Sequence, residues 1–170
     1  MRRQGSSPVF VVSGPSGAGK TSLCAGVLKR SPWLRAAVSH TTRPPRPGEQ
    51  EGKDYFFVDQ ETFERMIREG EFLEWAEVHG HRYGSSIENL RNGPKTKSLL
   101  FEVDWKGASQ IRREIEGAVL IFVMTPSLDD LIRRIKERGA ISQEELSVRI
   151  RTATLEIQKV QESDELVITA

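Results

Sequence analysis

The residues Gly14-Pro15-Ser16-Gly17-Ala18-Gly19-Lys20-Thr21 follow the spacing G-x-x-x-x-G-K-[ST]. Glycines let a backbone curl until successive N–H groups converge on an anion. Lys20 adds positive charge near the β- and γ-phosphates of a nucleoside triphosphate, and the Thr21 hydroxyl is a hard oxygen ligand for Mg²⁺. Ser22 carries the segment into a helical stretch, Lys20 to about Lys29, whose N-terminal dipole favours the same anion. The run Val9-Phe10-Val11-Val12 supplies the buried strand that such a loop must follow. The motif implies nucleotide phosphates and Mg²⁺; it does not identify an acceptor.

A second set of residues addresses the acceptor. Arg43 and Arg46 stand three apart in the proline-stiffened segment Thr42-Arg43-Pro44-Pro45-Arg46-Pro47. Their guanidinium forks suit bidentate phosphate binding. Tyr55 and Tyr83, the two tyrosines of the chain, add hydroxyl donors. Strand alternation in Phe72-Leu73-Glu74-Trp75-Ala76-Glu77-Val78 puts Glu74 on one face with Phe72, Ala76 and Val78. Burying a polar group there costs about 2–7 kcal/mol, and a charge more, unless something pairs with it. Glu102, inside Leu99-Leu100-Phe101-Glu102-Val103, raises the same question. Glu102 and Asp104 share a face at the carboxyl end of a strand, where open α/β sheets bind ligands. Taken alone, the arginines would serve equally as solvated surface charge, and the carboxylates as members of buried ion pairs.

The elements that must position these groups alternate between two periods. Buried runs are expected at Val9–Val12, Leu99–Val103, Val119–Met124 and Leu166–Ile168, with Ala36–Ser39 a weaker candidate. Amphipathic helices are expected over Gln110–Ile115, Leu128–Glu137 and Gln143 to about Val160. Ser127 three before Asp130 and Ser142 three before Glu145 mark helix starts, the second as a capping box. Such alternation predicts an α/β fold whose parallel sheet is covered on both faces. The stretch from His40 to Ser86 interrupts it: a proline-rich opening, a strand at Tyr55–Val58, a short helix capped by Asp59 and closed by Gly70, then a strand at Phe72–Val78. It reads as an inserted α+β lobe.

Together, the phosphate loop, Ser39-His40-Thr41-Thr42-Arg43-Pro44-Pro45-Arg46-Pro47-Gly48-Glu49, Gly52-Lys53-Asp54-Tyr55, Phe72-Leu73-Glu74-Trp75, Tyr83-Gly84-Ser85 and Asp104-Trp105-Lys106-Gly107-Ala108 resemble the guanylate kinases in order and spacing. The likeness runs from about Pro8 to the end of the chain. It implies a P-loop nucleoside-monophosphate-kinase fold: a five-stranded parallel core (8–39, 87–133 and 151–170), a GMP-binding lobe (40–86) and a helical lid (134–150). It implies phosphorylation of GMP, and of dGMP, by ATP. Gly14 to Ser22 would hold ATP; Ser39, Arg43, Arg46, Tyr55, Glu74, Tyr83, Ser85 and Glu102 would hold GMP. Lys20, Arg43 and the lid arginines Arg134, Arg138 and Arg149 would act on the transferring phosphoryl group, with Thr21 and, through water, Asp104 supporting Mg²⁺. Glu102 stands where many family members have Asp, and Lys106 where Gln is usual. The family also continues past Ala170 with an Asn-Asp pair near the adenine and a final helix. The carboxylates fit guanine, whose N1–H and amino group both donate; adenine would set a lone pair against them.

The balance of 25 Lys+Arg against 24 Asp+Glu gives no global signal for nucleic acid or membrane. The lone Cys24 excludes an internal disulfide and suits a reducing compartment, where a buried apolar role is expected of it. The apolar run at Val9–Val12 is too short for a signal or a span, so a cytoplasmic enzyme is expected. Its partners are then ATP and GMP, with monomer and homo-oligomer both open. A phosphopeptide-binding scaffold of the same fold would not need Gly19-Lys20-Thr21. A kinase of phosphorylated ribose would not need both Glu74 and Glu102, and an adenylate-type kinase would lack the arginine–proline segment.

Overall fold

The computed structural model describes residues 7–78, 80–92, 94, 96–137 and 142–169. Within them β1 (Val9–Ser13) leads into α1 (Lys20–Arg30), then β2 (Leu34–Ala36) and β3 (Ser39–Thr41). The lobe continues with β4 (Tyr55–Phe57), α2 (Gln60–Arg68), β5 (Phe72–Val78) and β6 (His81–Ser86), and a single turn, α3 (Glu88–Arg91), leaves it. The remainder is β7 (Ser98–Glu102), α4 (Trp105–Glu114), β8 (Val119–Met124), α5 (Leu128–Glu137), α6 (Gln143–Ile157), a 3₁₀ turn (Val160–Glu162) and β9 (Glu165–Ile168).

The core sheet has the order β2-β7-β1-β8-β9, and every pairing is parallel. Period two along these strands feeds two separate cores. Val9 and Val11, Leu99 and Phe101, and Leu120 pack with Ala108 and Ile111 of α4 on one face. Val12, Leu100 and Val123 pack on the other with Cys24 of α1, Leu131 and Ile135 of α5, and Leu146 and Ala153 of α6. Strands apolar on both faces are what a doubly covered parallel sheet requires. Both predicted caps form: the Ser127 hydroxyl accepts from the Asp130 amide, and Ser142 and Glu145 close a reciprocal capping box.

Several expectations change in detail. The Ala36–Ser39 candidate is two strands of different sheets, parted at Ala37–Val38, where the chain leaves the core for the lobe. Leu166 and Ile168 are half exposed, because among the described residues β9 is an edge paired with β8 alone. Helix α4 starts at Trp105, five residues before the apolar periodicity suggested, since the Asp104 carboxylate caps it by accepting from the Gly107 amide at 2.8 Å. Helix α6 ends at Ile157 rather than near Val160.

The lobe has its own four-stranded sheet, β4-β3-β6-β5, with β6 antiparallel to both its neighbours. Strand β6 was not foreseen: His81-Arg82-Tyr83-Gly84-Ser85-Ser86 has no apolar alternation and is fixed by its partners. Asp59 caps α2 through the Thr62 amide, and Gly70 ends it at positive φ. Asn89 ties the two crossings together. Its side chain exchanges hydrogen bonds with Val38 on the way out (2.9 and 3.0 Å) and donates to the Ser86 carbonyl on the way back. None of the helices among the described residues is long and apolar enough to cross a membrane.

Candidate active site

The phosphate loop follows β1 without a break. Gly14, Gly17 and Gly19 take positive φ values of 138°, 96° and 89°. At Gly14 a Cβ would lie 2.1 Å from the Val123 carbonyl oxygen, so no other residue fits there. Lys20 folds over the loop, its Nζ donating to the carbonyls of Gly14 (2.6 Å) and Pro15 (3.1 Å). Helix α1 has neither a side-chain cap nor an acidic residue in its first turn, which leaves its first N–H groups for an anion.

Facing this loop, a cleft of about 580 Å³ opens between core and lobe. Lys20, Thr21, Ser39, Arg43, Arg46, Tyr55, Glu74, Tyr83, Glu102 and Asp104 all line it. Ser85 is wholly buried behind the lining, its hydroxyl 3.1 Å from that of Ser39.

Glu74 is 5% exposed. A bulge in β5 between Phe72 and Glu74 shifts the register against β6, so Phe72 does not share the Glu74 face as alternation suggested. Phe72 packs on Phe63 of α2, ring centroids 4.5 Å apart, while Glu74, Ala76 and Val78 face the cleft. Burial pushes the Glu74 carboxyl up to about 7; a hydrogen bond with Ser85 opposes this and the charge of Asp104 adds to it. A Cβ at Gly107 would meet Glu74 Oε2 at 2.7 Å, so the glycine of Trp105-Lys106-Gly107 makes room for the carboxylate.

Glu102 differs from expectation. It is exposed in the cleft rather than buried in an apolar strand, because β7 ends there. Its Oε1 accepts from the Thr21 hydroxyl at 2.6 Å. With its proton committed to Glu102, the Thr21 oxygen keeps its lone pairs for a cation. Among the described residues no cluster of three His, Cys, Asp or Glu could enclose a metal. Thr21 and Asp104 nevertheless suit Mg²⁺, which keeps several waters and takes one or two protein oxygens beside substrate phosphates.

Of the two arginines, Arg43 is built into the lobe, whereas Arg46 is exposed and held through its backbone amide. Arg43 is 8% exposed, forms a two-pronged pair with Glu49 (3.0 and 2.8 Å), and lies over the rings of Tyr55 and Phe57. Glu49 also accepts from the Arg46 amide at 2.7 Å. Sequence reading gave Glu49 no role, although its place three after Arg46 was the signal. Hydrogen bonds from the Arg43 side chain and the Arg46 amide hold the Glu49 carboxyl below its usual range.

Of the lid arginines, Arg134 reaches the phosphate loop. It donates to the Thr169 hydroxyl (3.0 Å) and carbonyl (3.1 Å), and the Thr169 hydroxyl donates to the Ala18 carbonyl. Arg149 lies on α6 beside Glu144, Glu145 and Val148, away from the main cleft. Arg138, with residues 139–141, lies outside the described residues. Cys24 is buried, and its thiol is pushed up to about 12 by burial and the nearby Glu102 charge, so it is inert packing.

A parallel sheet with a phosphate loop after its central strand, and a cleft lined by both cations and carboxylates and capped by a second small sheet, defines an α/β P-loop nucleotide kinase. Residues 6–169 match the guanylate kinase family model. The chain is 45% identical over 169 residues to a guanylate kinase of Geobacter sulfurreducens, covering 99% of this chain and 82% of that protein. It is 43% identical over 161 residues to that of Aromatoleum aromaticum, covering 94% and 79%. The crystal structure of guanylate kinase from Anaplasma phagocytophilum superposes with a TM-score of 0.76 at 34% identity, covering 98% of this chain and 78% of that one. The chain belongs to the guanylate kinase family, ATP-dependent enzymes that phosphorylate GMP to GDP.

Proposed function

We propose that the cleft carries out this transfer with the following division of labour. ATP lies with its phosphates on the amides of Gly14 to Ser22 and on Lys20, and GMP lies in the lobe. Arg43, Arg46, Tyr55 and Tyr83 grip the GMP phosphate; Ser39, Glu74, Ser85 and Glu102 read the guanine edge. An oxygen of the GMP phosphate attacks the γ-phosphorus in line, and the bond from that phosphorus to the β–γ bridging oxygen breaks. The bridging oxygen keeps the electron pair and leaves as part of ADP. The acceptor is already an oxyanion, so no strong base is required, and catalysis is positioning and charge stabilisation. Lys20, Arg43, Arg134, Arg138 and Arg149 stabilise the charge on the moving phosphoryl group, the last three from a lid at 134–150. Thr21, and Asp104 through water, would hold Mg²⁺, which when bound neutralises phosphate charge and orients the leaving group.

No residue assigned to GMP depends on the ribose 2′-hydroxyl, which supports dGMP as a second acceptor. A chain with balanced charge and one buried thiol suits the cytoplasm and small-molecule partners rather than nucleic acid or membrane.

The observation that carries this reading is Glu74: a carboxylate buried on the cleft floor, with a glycine cleared beside it, in the same cavity as Lys20. Glu74→Gln replaces one acceptor oxygen by a donor. Its kcat/KM for GMP should fall by about 10²–10⁴ while the weak activity on AMP holds or rises. Equal loss on both substrates would make Glu74 a structural residue.

A further inference from the structure

Helix α5 is seated on the phosphate loop at two points. A Cβ at Gly17 would meet the side chains of Leu131 and Ile135 at 3.2 and 3.1 Å, so the apolar face of α5 lies directly on the loop. A Cβ at Gly19 would meet Arg134 Nη1 at 3.6 Å and both the methyl and the hydroxyl of Thr169 at 3.7 Å. Gly19 immediately precedes Lys20, so Arg134 and Thr169 flank the end of the loop that carries the lysine.

Thr169, just past β9, joins β8, the loop and α5. Its amide donates to the Met124 carbonyl at 2.9 Å, carrying the β8–β9 pairing one residue beyond Ile168. Its hydroxyl donates to the Ala18 carbonyl at 2.8 Å, with the Met124 carbonyl farther off at 3.3 Å. The same oxygen accepts from Arg134 Nη1 at 3.0 Å, while the Thr169 carbonyl accepts from Nη2 at 3.1 Å. A hydroxyl can do both because it has one proton to give and two lone pairs to receive with. The sheet holds the threonine, and the threonine holds both the loop and the arginine.

The manner of this grip suits a group that must act on phosphate. A guanidinium fork held at two nitrogens gives up its rotamer freedom in advance of any ligand. Both acceptors are neutral, so the grip fixes Arg134 without neutralising its charge. Arg133, its neighbour on α5, shows the contrast: exposed, it is paired with the carboxylates of Asp130 and Glu137.

We propose that Thr169 is a positioning residue for phosphoryl transfer: its hydroxyl couples the Arg134 guanidinium to the Ala18 carbonyl and so sets the distance between that positive charge and the phosphate loop. Loop amides and arginine must meet one transferring group from different elements, and a hydroxyl shared between them keeps the two in register. The inference rests on the reading of Arg134 as an arginine that acts on the moving phosphoryl group.

Thr169→Val keeps the branched shape and removes the hydroxyl. At saturating substrates kcat should fall about ten- to hundredfold, the scale of displacing a positioned group by about 1 Å. KM for GMP should stay within about twofold, because the lobe is untouched. Thr169→Ser, which restores the hydroxyl alone, should recover most of the lost kcat. A double-mutant cycle with Arg134→Ala isolates the route: in that background Thr169→Val should change kcat by less than about twofold.

The same loss in both backgrounds would mean that Thr169 supports the loop without acting through Arg134, and would overturn the proposal. So would full kcat in Thr169→Val. Arg134→Lys keeps the charge but cannot span hydroxyl and carbonyl, so it should lose a similar amount. Full activity there would overturn the proposal even if Thr169→Val failed to fold. If Arg134→Ala is as active as the parent, the reading of Arg134 fails first; if Arg134→Ala is impaired while Thr169→Val is fully active, only the positioning claim fails.

Discussion

With Glu74 reading guanine as proposed, its raised carboxyl should make GMP binding depend on proton concentration in a calculable way. Guanine offers N1–H and amino donors, so the bound carboxylate must be ionised, whereas in the empty cleft half of it is protonated near pH 7. The apparent dissociation constant then scales as 1 + 10^(7−pH). GMP should bind about tenfold more weakly at pH 6 than at pH 8, and binding near pH 7 should release about half a proton. The GMP phosphate itself titrates near pH 6, so the informative quantity is the difference from Glu74→Gln, whose affinity is lower but should lack this extra slope. Calorimetry in two buffers of different ionisation enthalpy reads the released proton directly.

The same shift bears on stability. A carboxyl raised from 4.5 to about 7 favours the folded state fully below the lower value and loses that contribution as pH rises through the upper one. By pH 8 this amounts to about 3 kcal/mol, so ligand-free Glu74→Gln should melt higher than the parent at pH 8 and no higher at pH 4.5. Identical pH dependence of GMP affinity in the two proteins, with no proton release, would refute the reasoning.

Other outcomes follow from the same geometry. Lys20→Ala should lower kcat by about 10²–10³ with the fold intact by circular dichroism. Glu49→Gln should raise KM for GMP more than it lowers kcat, because Arg43 and the Arg46 amide lose the carboxylate that holds them; steady-state kinetics separates the two effects. Asn89→Ala leaves both lobe crossings with unmet hydrogen bonds and should cost about 2–4 kcal/mol in urea unfolding. Hydrogen exchange with GMP and a non-transferable ATP analogue should show added protection over 40–86 and 134–150, which would otherwise place like-charged arginines together.

Much of this was legible because the informative residues are ones that only a few conformations or chemistries can use. A glycine whose Cβ would strike the Val123 carbonyl, a proline-flanked arginine pair and a carboxylate in an apolar strand each constrain the chain locally. Phe72 was misplaced because a bulge adds one residue to a period-two count, and nothing in Phe72-Leu73-Glu74 announces it. Glu102 was misjudged as buried because burial there depends on where β7 stops, which its neighbours in the sheet decide. Strand β6 and the start of α4 were missed for a related reason: tertiary pairing and a capping aspartate outweigh weak local propensity. Asn89 and Thr169 act through contacts distant in sequence, which no spacing encodes, whereas Glu49 lies within six residues of both its partners.

On the proposed reading, one cleft selects GMP by its guanine and passes the γ-phosphoryl of ATP to the GMP phosphate. Initial rates with ATP and Mg²⁺ across GMP, dGMP, AMP, CMP and UMP test it most directly. The account predicts GDP formation with kcat/KM for GMP exceeding that for AMP and the pyrimidine nucleotides by about 10³ or more, and dGMP second. Comparable rates on AMP, or ATP hydrolysis without transfer to GMP, would contradict it.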